Sequence, residues 1–339
     1  MKAVWIPKHG DPDVLEVRES ADPDPDENEV RIRVRAAGLN FAEVMARQGL
    51  YPDAPKPPMV VGYEVSGVVD AIGAGVTGVE EGQRVLAMTR FGGHADTVCV
   101  DAAQAELIPD RMTFEEAAAL PVNYLTAYHM LFEVFRIRPE DHVLIHMAAG
   151  GVGTAVCQLC RTVEGVVTYG TASSHKHEYT RQHGCDHPID YHEVDYAESV
   201  LSLTDGRGVD LVLDPLGGND WKKGYALLRP GGQLIVFGWA NMSSGGKRRM
   251  GRVVRELTRT PIWSAPKLMG DNRGVSGVNM GHLFSETELL KREMGALVRL
   301  YEAGKIKPHV DRCFPFDQAA EAHRYIEEGK NVGKVLLTP

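Results

Sequence analysis

The chain has 339 residues, of which 43% are hydrophobic and 24% charged, with a net charge of -9. That length suits about two domains of roughly 150 residues each. No window approaches the ~20 apolar residues of a membrane-spanning helix, and the negative charge argues against a general nucleic-acid binder. The cysteines, Cys99, Cys157, Cys160, Cys185 and Cys313, are odd in number and mostly far apart. They form no disulfide framework and suit a reducing compartment. The start, "MKAVWIPKHGDPDVLEV", has no apolar signal core, so the expected location is cytoplasmic.

The first predicted elements are strands. "VRIRV" at 30–34 alternates with period two, and "VVGYEVSGVVDAIGAG" and "GQRVLAM" read as short strands broken by glycine turns. Near Phe114 the texture becomes helical, with Thr113 and Glu116 spaced as a capping box. From Asp141 onward strands and helices alternate: "HVLIHM", a helix through "TAVCQLCRTV", "GVVTYG", a helix from His175, "VDLVLD" and "GGQLIVFG". That alternation is the signature of a parallel sheet covered on both faces. Beyond about Gly270 it fades until "GKVLL", so the final segment is expected to rejoin the first module. The predicted class is α/β, with a split β-rich domain at 1–122 and 268–339 and a doubly wound parallel-sheet domain at 123–267.

In "HVLIHMAAGGVGTAVCQLCRTV" a strand runs through "AAGGVG" directly into a helix. Backbone N–H groups at such a helix start can point at a pyrophosphate, and glycines permit the close approach. Ala148 replaces the first glycine of the usual G-x-G-x-x-G, leaving Gly150, Gly151 and Gly153. The second strand ends in "VVTYGTASSHKHE", without the carboxylate that holds a ribose 2′-hydroxyl in an NAD site. Ser173, Ser174 and Lys176 follow, so NADP(H) is the expected cofactor. Cys157 and Cys160 share one face of the helix after the turn and read as buried core thiols.

The strings "GLNFAEVMARQGLYP", "GYEVSGVV", "LPVNYLTAY", "AAGGVG", "DPLGG" and "NVGKVLL" are spread along the whole chain. On these the sequence resembles the zinc-independent quinone oxidoreductase branch of the medium-chain dehydrogenase/reductase superfamily. "MTFEEAAAL", "GTASSHKHE", "HPIDYH", "IKPHVD" and "KNVGKVLL" look most like its vesicle amine transport (VAT) protein homologues. The resemblance implies a GroES-like catalytic domain, a Rossmann NADPH-binding domain and a homodimer joined through sheet edges, with "GGQLIVFG" and the segment after it as the expected edge.

Zinc enzymes of the superfamily carry a Cys near position 40 and a Gly-His-Glu motif, whereas Asn40 and Tyr63 stand here. No metal is expected, because a tetrahedral zinc site wants three or four converging Cys, His or carboxylate ligands. Alcohol oxidation in this scaffold relies on such a Lewis acid, while quinones and α,β-unsaturated ketones need only hydrogen-bond donors and a proton source. The resemblance places Asn40 and Tyr51 at the reacting centre, Tyr51 as proton donor or positioning group, with Tyr63 lining the substrate pocket. It places Asn123 and Thr126 at the nicotinamide and Gly150, Gly151, Val152 and Gly153 at the pyrophosphate. Ser173, Lys176 and Tyr191 fall around the 2′-phosphate and adenine, and Leu216, Phe237, Gly238 and Asn331 complete the contacts.

One further segment stands out. Between Lys247 and Arg259 six basic residues oppose one acid, Glu256. At helical spacing Met250, Val253, Val254 and Leu257 share one face, and Arg248, Arg252, Arg255 and Arg259 another. Two readings are open: peripheral contact with an anionic vesicle or organelle membrane, aided by Trp263, or a solvated helix packed on the protein by its apolar face. The first suits an NADPH-binding membrane adaptor; the second leaves the enzyme reading alone.

Overall fold

The structure is a computed structural model describing residues 1–243 and 250–339; Lys247 and Arg248 of the basic segment, and the side chain of Arg252, lie outside the described residues. The described chain forms two compact units, Met1–Leu125 with Met280–Pro339, and 126–243 with 250–279.

In the first unit, alternation in "EVRIRVRAAGL" turns Val30, Ile32 and Val34 inward. The strand Glu29–Leu39 is the hub of a seven-stranded sheet, pairing antiparallel with Glu64–Ile72, Thr97–Asp101 and Lys334–Thr338. Valines from these strands, among them Val65, Val69, Val98 and Val100, close one core, where β-branched side chains fit a pleated surface. Thr113 caps the helix Phe114–Ala119: its hydroxyl accepts from the Glu116 N–H at 3.1 Å, as the capping-box spacing predicts. Pro121 then opens the next helix, Pro121–Tyr128, a position where its missing N–H costs nothing.

The second unit holds six parallel strands: β1 (His142–Ile145), β2 (Val167–Thr171), β3 (His187–Ile189), β4 (Val209–Asp214), β5 (Leu228–Val236) and β6 (Gly274–Gly277). Their order is β3-β2-β1-β4-β5-β6, so direction of winding reverses between β1 and β4, the switch point where such sheets bind ligands. Every residue of β4 is buried, as a strand covered on both faces requires. The edge differs from expectation. "GGQLIVFG" is interior, because residues 233–236 pair with β6. Nothing in "GVSG" announces a strand, since its two glycines carry no apolar pattern.

Helix α1 (Gly151–Cys160) follows β1 and buries Cys157 and Cys160. Helix α2 (Met250–Arg259) is oriented unlike the packed-helix reading: Met250, Val254 and Leu257 are exposed, whereas Glu256 is buried. Trp263 packs on Tyr225 with ring centroids 5.3 Å apart, so it supports the core rather than an interfacial belt.

Candidate functional site

Two clusters gather the residues singled out by sequence, one in each unit. In the first, Asn40 is the N-cap of the helix Phe41–Gln48. Its backbone N–H donates to Glu43 Oε2 at 2.8 Å, closing a capping box. Its Nδ2 donates to Glu43 Oε1 at 3.3 Å and Glu64 Oε1 at 3.0 Å, while Oδ1 accepts from Lys334 Nζ at 2.5 Å. Lys334 also pairs with Glu64, whose other oxygen accepts from the Val122 N–H at 2.7 Å. Both hydrogens of the Asn40 amide are therefore spent on carboxylates, and the side chain is locked in one orientation.

Glu43, Glu64 and Lys334 are all buried. Burial lifts the Glu43 carboxyl to about 7, against the nearby Lys334 charge that favours its ionised form. The Tyr63 ring meets Tyr51 edge-on at 6.2 Å and Phe91 at 5.3 Å, and its buried hydroxyl faces that of Tyr51. Burial raises the phenols of Tyr51 and Tyr63 above their usual value, and the charge of Glu43 adds to both. Each phenol keeps its proton at neutral pH and is available as a donor. Asn123 is also buried in this unit, on the helix Pro121–Tyr128; Thr126, three residues on, begins the second unit. Asn331 donates through Nδ2 to the Gly333 carbonyl at 3.2 Å.

In the second unit the glycine turn lies at the end of β1. Gly150 is the N-cap of α1, with extended backbone, and Gly151, Val152 and Gly153 form its first turn, where N–H groups lack intrahelical acceptors. A Cβ on Gly153 would sit 2.4 Å from the Met147 carbonyl oxygen and 2.6 Å from Ala148 Cα. The turn therefore folds this tightly only with glycine there. At the end of β2, Ser173 is half-buried and its hydroxyl lies 3.3 Å from His192 Nε2. Lys176 is buried in the following turn, and Tyr191 is exposed with its ring 4.2 Å from that of His192. Asp190, just past β3, accepts from the Ser174 and His192 N–H groups at 2.8 and 2.9 Å.

Leu216 follows β4, its N–H donating to Asp214 Oδ1 at 2.6 Å. Phe237 donates its N–H to the Asp214 carbonyl at 3.1 Å, and a Cβ on Gly238 would press on Pro215 at 3.0 Å. Gly150 to Gly153, Ser173, Leu216, Phe237 and Gly238 thus converge at the C-terminal ends of β1, β2, β4 and β5. Sequence reading alone missed three polar residues: Glu43 and Lys334 in the first unit and His146 in the second. The signal at Lys334 and His146 was an ionisable residue inside an apolar run, as in "NVGKVLL" and "VLIHM".

A sheet wound in this order, with a glycine turn at its reversal and a β-rich unit formed from both ends of the chain, defines a two-unit dehydrogenase/reductase. Residues 26–125 match the alcohol dehydrogenase GroES-like domain and residues 183–337 the zinc-binding dehydrogenase family. The human synaptic vesicle membrane protein VAT-1 homolog is 47% identical over 96% of this chain and 82% of its own length. The Escherichia coli quinone oxidoreductase complexed with NADPH superposes with a TM-score of 0.89 at 29% identity, covering all of both chains. The CurK enoyl reductase does so with a TM-score of 0.85 at 27% identity, over 99% of this chain and 98% of its own. The chain belongs to the medium-chain dehydrogenase/reductase superfamily, in the family of VAT-1 homologues.

The residues here do not fit the zinc that one of those family descriptions carries. Among the described residues no three His, Cys, Asp or Glu side chains are grouped to hold a metal ion. Around Asn40 the positive charge is already the Lys334 ammonium, which would repel a second cation.

Proposed function

We propose that the protein is an NADPH-dependent oxidoreductase that reduces quinones or α,β-unsaturated carbonyl compounds without zinc. The observation that carries this reading is the glycine turn at the switch point, followed by a second strand that ends in Thr171 rather than a carboxylate, with Ser173 and buried Lys176 after it. Such a turn accepts phosphate oxygens, and a second strand that ends without a carboxylate leaves room for a 2′-phosphate. The likeness to a quinone oxidoreductase complexed with NADPH and to an enoyl reductase supports the cofactor and the two substrate classes.

When bound, the reduced nicotinamide supplies the hydride. The chain's own residues supply the rest: the turn 150–153 binds the pyrophosphate, and Lys176 and Ser173 hold the 2′-phosphate. Tyr51 donates the proton that the reduced carbonyl compound needs, and Tyr63 packs its ring. Asn40, fixed by Glu43, Glu64 and Lys334, acts as a positioning residue, because its amide hydrogens are already engaged. Domains 1–122 with 268–339, and 123–267, take the catalytic and cofactor roles. Replacement of Lys176 by alanine tests the cofactor assignment: NADPH binding weakens about tenfold or more while NADH binding is unchanged, and equal loss for both would contradict it.

A homodimer through the outer edge of β6 belongs to the same proposal, since an unpaired parallel edge is a ready pairing surface. A second reading, a membrane-associated adaptor, is favoured by α2, which exposes Met250, Val254 and Leu257 beside Arg255. An apolar face beside arginines suits anionic lipid. Co-sedimentation with phosphatidylserine vesicles that weakens with salt would support it; absent or salt-insensitive binding would reject it.

A further inference from the structure

His146 follows β1 directly and Asp214 ends the adjacent strand β4, at the reversal point of the sheet. Both side chains are buried, and His146 Nε2 lies 3.8 Å from Asp214 Oδ2. Neither of these two atoms has a hydrogen-bond partner. The far ends of the pair are engaged. His146 Nδ1 lies 3.1 Å from Thr171 Oγ1, which accepts the Met147 N–H at 3.2 Å. Asp214 Oδ1 accepts the N–H groups of Leu216 and Gly217 at 2.6 and 3.3 Å. The pair thus touches the glycine turn on one side and the loop after β4 on the other.

Two protonation states suit this geometry. With Asp214 ionised, Nε2–H faces the carboxylate and the Thr171 hydroxyl donates to Nδ1. With Asp214 protonated, its O–H faces Nε2, and Nδ1–H donates to Thr171, whose second lone pair still receives Met147. The hydroxyl of Thr171 donates to Nδ1 in the first state and accepts from it in the second, so the His146 ring keeps this partner in both. Burial holds His146 down at about 4 and lifts Asp214 to about 7. Around the pair stand Tyr196, whose ring meets that of His146 at 4.7 Å, and Asp220, which accepts the Tyr196 hydroxyl at 3.0 Å. Lys223 lies over the Tyr196 ring at 4.2 Å and is paired with Asp195 at 2.8 Å. Asp220 disfavours a charged Asp214, and Lys223 disfavours a charged His146.

We propose that this His146–Asp214 pair takes up a proton when a dinucleotide's phosphates bind the turn above it, so that cofactor affinity is coupled to its protonation. The inference rests on the reading of the turn as an NADPH site. A buried carboxylate is poorly screened, and a bound polyanion penalises its charge. Protonation removes that charge, and linkage then makes the affinity for NADPH higher below neutral pH than above it.

Titration calorimetry of NADPH into the folded full chain, in two buffers of different ionisation enthalpy at pH 7.5, reads the proton directly. The expected result is net uptake, with Kd rising about tenfold between pH 6.5 and 8.5, the change for one group shifted by about one unit. Asp214→Asn keeps the acceptor for Leu216 and Gly217; in it the uptake disappears and the pH profile flattens relative to wild type. His192→Gln, beside Ser173, retains the uptake and decides the matter if Asp214→Asn does not fold. Zero uptake by wild type, equal uptake in Asp214→Asn, or its loss in His192→Gln overturns the proposal. NADPH binding that is indifferent to pH sinks this coupling alone, whereas no NADPH binding to folded wild type sinks the cofactor reading with it.

Discussion

At the scale of single residues, burial decides the chemistry around Asn40. Glu43 is held as an acid near 7 because the fold removes it from water. The folded state therefore binds this proton more tightly than the unfolded chain, and the associated stability is present below the unfolded value and lost as pH rises through about 7. Between pH 5 and 8 wild type should lose about 3 kcal/mol more than Glu43→Gln, read from denaturant midpoints; parallel profiles would refute the assignment. Among the described residues, Lys334 is the cation bonded to Asn40 and Glu64 in that cluster. Lys334→Met, which leaves the Glu64 charge buried and unpaired, should cost about 3–5 kcal/mol, and adding Glu64→Leu should restore much of it. For Tyr51→Phe the expectation is a fall of about 100-fold in kcat with KM little changed, as befits a lost proton donor. Tyr51 and Asn40 were legible in the sequence through a family resemblance. Glu43 reaches Asn40 through a local capping box, whereas Glu64 and Lys334 join them only once strands distant in sequence pair.

At the scale of elements, the turn between β1 and α1 shows what sequence carries well. A strand, three glycines and a helix in immediate succession fix the backbone path locally, and the structure forms the turn where "AAGGVG" predicts it. Gly153→Ala would drive a Cβ into backbone atoms that cannot swing aside. NADPH binding should weaken at least tenfold, measured by fluorescence titration, with secondary structure retained; unchanged affinity would mean that the phosphates lie elsewhere. β6 and α2 show the opposite case. "GVSG" has no apolar period, so its strand depends on pairing with β5. In α2 the period is clear, yet periodicity alone cannot say whether solvent or protein meets the apolar face, and here that face is exposed.

At the scale of the whole molecule, the chain leaves its first unit and returns to it. Lys334–Thr338 pairs with Glu29–Leu39 in register, so the last strand completes a sheet begun near the first residues. Composition and length suggested two domains, and the return of "GKVLL" to the β-rich part followed from the loss of strand–helix alternation before it. The NADPH-dependent oxidoreductase class was legible from the glycine turn and the missing acid after β2. The acceptor is not, because pocket shape depends on loops whose residue types name no single molecule. The measurement that bears most directly on the central claim is the loss of NADPH absorbance, beside an NADH control, when the purified protein meets ortho-quinones, para-quinones and enones. Rapid oxidation of NADPH, with NADH much slower, is the expected result. No turnover with any acceptor, by protein shown to bind NADPH, would contradict the reductase reading and leave the exposed face of α2 as the guide to function.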